Sequence, residues 1–255
     1  MSPMTEMNAL VEQALRGDRT ALDALVRAVQ DDIYGLALRM LWSPADAADA
    51  TQEILVQIIT HLSSFRGESS FRTWCFRIAS NALLRAKTRR QPVLEHVDDQ
   101  PAPTLTSPED RLLAREVRLQ CSLGLLQTLD AEHRLAYVVG EVLGLSGDDA
   151  ADVTGVAPAT YRKRLSRARE RMREFLTSHC GVVNEAAKCR CAKHVRKLDG
   201  RERVFTKHLP RVTPSVLQHA QRLAATHEST ALYRDLPDFA APETLRAALT
   251  SLLTP

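Results

Sequence analysis

A proline-broken, acidic stretch sets the first limit on how this chain folds. Residues 91–110, QPVLEHVDDQPAPTLTSPED, contain four prolines and neither lysine nor arginine. Proline lacks the backbone donor a helix needs and biases the residue before it toward extended backbone, so helical period does not cross this stretch. On both sides apolar residues return every three or four positions, the period of amphipathic helices. The chain therefore reads as all-α. Two small helical domains, residues 1–91 and 111–178, are joined by a flexible acidic linker over 92–110. A helical C-terminal extension follows over 179–255.

With 255 residues the chain has room for two such domains and an appendage. A net charge of +3 says little by itself, but cations gather over residues 85–90 and 162–173, at the ends of two predicted helices. No apolar run approaches the ~20 residues that span a bilayer. Met1–Leu10 lacks the basic start and apolar centre of a secretory signal. Five cysteines, an odd number, give no disulfide framework. These features point to a cytoplasmic protein in reducing surroundings, without membrane insertion.

Helices are predicted over residues 8–15 and 20–41, the second with Leu22, Leu25, Val26, Val29, Ile33, Leu36, Ala37 and Met40 inward. Ser43-Pro44 then supplies a cap and a first-turn proline. The helix that follows buries Ala47, Ala50, Ile54, Ile58 and Leu62 and presents Asp46, Asp49, Gln52, Glu53 and Val56 outward. Like charges four apart weaken a free helix slightly. Two readings stand: an acidic solvated face, or a patch that meets a positively charged partner.

The stretch FRGESSFRTWCFRIASNALLRAKTRR, from Phe65 to Arg90, carries more information. Ser70 is placed as a helix cap, and Phe71, Trp74, Cys75, Ile78, Ala79, Ala82, Leu83 and Ala86 form an apolar stripe. Beside it run Thr73, Trp74, Arg77, Asn81 and Arg85, roughly a turn apart. A large ring, an amide and cations in one line can stack an unpaired base, bond its edge and hold its phosphate. The competing reading makes Trp74 a core ring and the arginines a solvated face. The residue order, from Phe65-Arg66-Gly67-Glu68-Ser69-Ser70 through Phe71-Arg72-Thr73-Trp74 to Arg77-Ile78-Ala79 and Asn81, resembles region 2 of the extracytoplasmic-function sigma factors. These are the small sigma subunits of bacterial RNA polymerase. The resemblance implies that Arg66, Ser70, Thr73, Trp74, Arg77, Asn81 and Arg85 hold the opened strand at the promoter −10 element. It implies as well that Asp46-Ala47-Ala48-Asp49 and Gln52-Glu53 dock on core polymerase through Asp46, Asp49, Gln52 and Glu53. Thr51 departs from the larger apolar residue usual in that family. The acidic linker is either a plain spacer or, as the resemblance implies, a segment threading the RNA-exit path.

Helical period resumes at Glu109, with Leu112, Leu113, Val117, Cys121, Leu125 and Leu126 on one face. Asp130 caps a predicted helix that runs to Leu143 with Leu135, Val138, Val139 and Val142 inward, and Gly144 stops it. Ser146 and Asp149 approximate a capping box. Ala151 supplies the small packing residue and Gly155 the positive φ of a helix-turn-helix. In the second helix Tyr161, Leu165, Ala168 and Met172 face inward. Thr160, Arg162, Lys163, Ser166 and Arg167 face outward near the N-terminus, where a recognition helix meets base edges. Arg164, Arg169, Arg171 and Arg173 suit phosphates or a solvated face. Residues 145–169 resemble region 4 of the same family, which implies that the five outward residues read the −35 element. Ala159 and Thr154 are departures, and Thr154 is expected to loosen the turn.

Beyond residue 175 the resemblance ends. His179, Cys180, Cys189, Cys191 and His194 fall close together and are candidate ligands for zinc or copper, with unbound thiols as the alternative. Lys188, Arg190, Lys193, Arg196 and Lys197 are expected to lower the thiol pKa values. Two further helices are predicted, one from Thr213-Pro214 with Val216, Leu217, Ala220, Leu223 and Ala224 inward, one from Pro242 with Leu245, Ala248, Leu249 and Leu252. Four functions compete: a sigma factor bound to core polymerase and promoter DNA, with an anti-sigma protein as a candidate further partner; a stand-alone helix-turn-helix regulator; a DNA-processing enzyme; and a metal or redox sensor. No paired carboxylates, Ser/His set or nucleophilic tyrosine stands in a supporting motif, so the chain is read as a non-enzyme.

Overall fold

The computed structural model describes residues 3–86, 108–198 and 239–247. Most of the 92–110 linker, the helix expected after Pro214 and Ala248–Leu252 lie outside these residues. Among them there are nine α-helices up to residue 198, a further helical turn over 243–247 and no strand; one isolated bridge links Cys180 and Cys189. None of the described helices is long and apolar enough to cross a membrane. Two compact units emerge. The first comprises Met1–Thr88, Ser146–Tyr161 and Asp238–Pro255, the second Arg89–Leu145 and Arg162–Pro237.

In the first unit α1 (Pro3–Leu15), α2 (Arg19–Leu41), α3 (Pro44–Thr60) and α4 (Phe71–Arg85) pack into a bundle. The starts of α2, α3 and α4 are each set by a short polar side chain. Asp18 accepts from the Thr20 and Ala21 amides, Ser43 from Asp46 and Ser70 from Thr73, which satisfies donors that a helix N-terminus leaves open. Leu25, Ile33, Leu36, Ile54, Leu55, Phe76 and Leu83 form the core. Phe76 is fully buried although the periodic stripe read from the sequence passes it by: α4 is apolar over a wider arc than that stripe. Thr51 costs nothing here, because its hydroxyl donates to the Ala47 carbonyl at 2.6 Å.

The second unit holds α5 (Pro108–Leu126), α6 (Ala131–Tyr137), most of α8 (Pro158–His179) and α9 (Cys191–Leu198). Pro108–Asp110, assigned above to the linker, already belong to α5. Arg134 is buried and donates to the Leu126 and Leu129 carbonyls, both at 2.9 Å. It closes the end of α5, and burial draws its pKa down to about 10. The single helix expected from Asp130 to Leu143 changes character at Val138. A π turn over Val138–Val142 puts the Leu143 amide on the Val138 carbonyl, five residues back. Gly144 then stops it at φ 65°. α9 packs on α5 through Val195 and Val117, with Ala114 and Cys191 alongside.

Two outcomes follow. Phe76→Ala opens a cavity in the bundle and lowers its stability by about 3–5 kcal/mol, read by urea unfolding. Asp130 works at two points, since it caps α6 and pairs with Arg171 at 3.0 Å. Burial alone raises its pKa, but the His133 amide and ring and the Arg171 guanidinium together hold it down to about 2. A depressed carboxylate contributes stability above its unfolded value of 3.8 that is lost as pH falls toward 2. Asp130→Asn therefore flattens that acid limb in a pH series of melting curves.

Candidate nucleic-acid interface

α4 begins at a cap that fixes the rotation of everything after it. Ser70 Oγ accepts from the Thr73 amide at 3.0 Å and pairs with Thr73 Oγ1 at 2.8 Å. Thr73 is thereby buried, and both hydroxyls serve the helix start. One turn on, Trp74 is partly buried, stacked on Phe71 with centroids 5.7 Å apart and edge-on to Phe65 at 5.6 Å. The two readings of Trp74 thus meet in one ring, anchored in a three-ring cluster and still accessible. Arg77, Asn81 and Arg85 continue along the exposed side, with Arg66 exposed in the preceding loop. Arg77 pairs with Asp152 of α7 (Gly147–Thr154) at 2.9 Å. A Cβ at Gly155 would stand 3.9 Å from Asn81 Oδ1. α7 therefore packs beside the line of polar residues on α4.

On α3, Asp46, Asp49 and Glu53 are exposed and Gln52 partly so. Among the described residues none of these four side chains has an ion pair or hydrogen-bond partner. Val56, one turn beyond Gln52, is 42% exposed, an apolar neighbour to an otherwise acidic patch.

The helix-turn-helix forms as its residue types require. Ser146 Oγ accepts from the Asp149 amide and donates to its carboxylate at 2.6 Å. Gly155 sits at φ 66°, and its amide closes α7. Thr154 does not loosen the turn: it is buried and donates to the Ala150 carbonyl at 2.7 Å. In α8, Tyr161, Leu165, Ala168, Met172 and Leu176 are all buried. The cations divide in a way the sequence did not reveal. Arg164 pairs with Glu132 at 2.5 Å, Arg169 with Glu141, and Arg171 with Asp130. Those three stitch α8 to α6 and the π turn rather than standing free for phosphates. Thr160, Arg162, Lys163, Ser166 and Arg167 are exposed, with no ion pair or side-chain hydrogen bond among the described residues.

Around the extension's thiols the charge argument fails. Cys189 and Cys191 have raised pKa values because burial outweighs the surrounding cations, Arg118 included. Cys121 of α5 belongs to the same neighbourhood, pushed up to about 12 by burial and then by Cys191, Cys180 and Cys189. The sequence reading left it in the core stripe, and only its residue type hinted otherwise. Cys189 Sγ lies 3.6 Å from His194 Nε2. His179 is exposed, stacks on Phe175 at 4.5 Å and bonds that residue's carbonyl. Among the described residues no three His, Cys, Asp or Glu side chains converge as a metal site. Gly181 is needed here, since a Cβ would overlap the Cys189 carbonyl and the Arg190 guanidinium.

Two capped helical readers on an all-α scaffold define a protein of the sigma-70 type, and comparison with known proteins agrees. The profile of Sigma-70 region 2 matches residues 25–93, and that of Sigma-70, region 4 matches 119–172. RNA polymerase sigma-H factor of Pseudomonas aeruginosa is 36% identical over 172 residues, 63% of this chain and 89% of that protein. The ECF RNA polymerase sigma-E factor of Escherichia coli K12 is 33% identical, over 67% of this chain and 94% of that one. The fold resembles that of CnrH, solved in complex with the cytosolic domain of CnrY, at TM-score 0.50 and 23% identity, over 66% of this chain and 95% of that one. The chain belongs to the extracytoplasmic-function sigma factors, and its activity is that of an RNA polymerase sigma subunit.

The paired and unpaired cations of α8 predict opposite phenotypes. Arg169→Ala removes the ion pair to buried Glu141 and costs about 1–3 kcal/mol of stability in chemical denaturation. Arg167→Ala leaves the unfolding midpoint unchanged and weakens binding of duplex −35 DNA.

Proposed function

We propose that the sigma activity divides among three surfaces. Asp46, Asp49, Gln52 and Glu53 dock the bundle on core polymerase, with Val56 as an apolar contact. Arg66, Trp74, Arg77, Asn81 and Arg85 hold the unpaired −10 strand, on a helix whose start Ser70 and Thr73 set. Thr160, Arg162, Lys163, Ser166 and Arg167 read the −35 duplex in the major groove. The observation that carries this reading is the partition in α8: the cations along one side are held by carboxylates, while the N-terminal set has none among the described residues.

No covalent chemistry is involved. Docking fixes the spacing of two DNA readers, one for paired and one for unpaired DNA. Arginine bonded twice to a guanine edge discriminates by about 1–3 kcal/mol, and a ring stacked on a free base contributes about 1–3 kcal/mol. The Arg77–Asp152 pair is exposed on both sides, so exchanging it for a DNA phosphate costs under about 1 kcal/mol. A stand-alone helix-turn-helix regulator leaves the α3 patch and the α4 line without a role.

The extension regulates this activity in cis in the same proposal, and regulation by a separate anti-sigma protein is the alternative. Zinc or copper at Cys180, Cys189, Cys191, His194 and His179 is proposed from donor chemistry: thiolates and imidazoles suit both ions. Cys189 Sγ lies near His194 Nε2, and beyond that contact the proposal stands on residue type. Metal analysis of protein purified without chelator tests it: a stoichiometric ion lost in a Cys189→Ser chain supports binding, and a metal-free protein refutes it.

Run-off transcription with purified core polymerase is the direct test of the activity. The full chain directs specific initiation. Trp74→Ala reduces strand opening by about tenfold while closed binding changes little; equal losses in both steps assign the ring to packing alone. Because phosphates are contacted, log affinity falls linearly with log salt.

A further inference from the structure

The last described segment, 239–247, lies on the first unit, against a stripe of α2 that neither DNA reading nor polymerase docking uses. Arg27, Asp31, Gly35 and Arg39 repeat once per turn along this stripe. The Asp31 carboxylate accepts from the Ala241 amide at 2.9 Å and from Arg246 Nη2 at 3.1 Å on each oxygen. Arg39 is 5% exposed, donates back to the Gly35 carbonyl at 3.0 Å and lies 4.8 Å from the centroid of the Phe239 ring. Gly35 explains itself here. A Cβ at that position would stand 2.9 Å from Arg39 Nη1 and 4.0 Å from Phe239 Cβ, so a mid-helix glycine, otherwise unfavourable, opens the shallow seat that holds both. Phe239, Ala241 and Leu245 are each 4% exposed. Pro242 starts the short turn that brings Leu245 and Arg246 round, its carbonyl accepting from both amides.

We infer that this stripe of α2 is a peptide-docking surface whose occupant is the chain's own C-terminal segment. An aromatic, a small residue, a leucine and an arginine at positions 239, 241, 245 and 246 form the docking pattern. The stripe itself lies within the region 2 match, whereas its occupant is an addition to the sigma fold, since the region 4 match ends at residue 172. Relatives covered over 89–94% of their length share 63–67% of this chain. The contact is of a kind that exchanges. Its ion pair is 34% and 45% exposed, which leaves three apolar side chains and one cation–π contact as the main anchors. Docked, the segment ties the far end of the Cys/His extension to the polymerase-binding bundle, so a partner that takes the segment releases that tie. This inference is independent of the DNA and polymerase assignments.

The test uses the full-length chain. In hydrogen exchange the Ala241, Leu245 and Arg246 amides exchange at least about tenfold more slowly than in a free peptide of residues 238–255. Phe239→Ala and Asp31→Arg each remove that protection while the melting of the bundle is unchanged. Combining Asp31→Arg with Arg246→Asp restores part of it. The labelled 238–255 peptide binds the Phe239→Ala chain, whose seat is vacated, and binds the wild-type chain at least about tenfold more weakly. Wild-type amides exchanging at the free-peptide rate, or a peptide that binds neither chain, overturns the proposal. Protection that disappears on dilution together with a dimer in size-exclusion chromatography also overturns it, by making a second copy the occupant.

Discussion

Three carboxylates decide what the recognition helix can offer to DNA. Glu132, Glu141 and Asp130 take Arg164, Arg169 and Arg171, and the buried row from Tyr161 to Leu176 fixes the rotation of α8. What remains outward at the N-terminal end is a compact set of cationic and hydroxyl side chains. A helix this rich in arginine would otherwise bind any polyanion. Pairing part of the charge with carboxylates leaves the rest on the face proposed to make groove contacts. Glu141 is central to this, being 3% exposed and sitting in the π turn, where the change of helical register accompanies its approach to Arg169.

The bundle solves a related problem by capping. Unpaired bases are recognised by stacking and edge contacts that tolerate little rotation of the reading helix. The Ser70–Thr73 cap and the burial of Phe71, Cys75, Phe76, Ala79 and Leu83 fix that rotation. Trp74 is then held at the margin of the core, steadied by Phe65 and Phe71, with Arg77, Asn81 and Arg85 following on the exposed side. The acidic patch on α3 stands on a neighbouring helix of the same bundle, so the proposed polymerase contact and the proposed strand contact share one support.

Much of this was legible in the sequence because it is local. The caps at Ser43, Ser70, Asp130 and Ser146, the stop at Gly155 and the inward row of α8 all follow from residue type and spacing within one or two turns. The features that escaped are long-range. Nothing in periodicity pairs Arg169 with Glu141, 28 residues away, or brings Cys121 among thiols some 60–70 positions later. The thiol charge argument went wrong for the same reason: basic neighbours in sequence are visible, whereas burial by α5 is not. The π turn was missed because it leaves the apolar pattern intact over most of its length. The seat for Phe239 on α2 showed in the sequence only as an unexplained glycine inside a helix.

The central claim is a two-point grip: one protein, carried by polymerase, holds paired DNA upstream and unpaired DNA downstream. Footprinting of the reconstituted holoenzyme on a promoter, with hydroxyl radicals for contact and permanganate for unpaired thymines, reads both at once. The account predicts a duplex footprint at −35 that Arg162→Ala or Arg167→Ala removes, and permanganate-reactive thymines at −10 that fade in the Trp74→Ala holoenzyme. A single duplex footprint, unchanged by core polymerase and without reactive thymines, would contradict it.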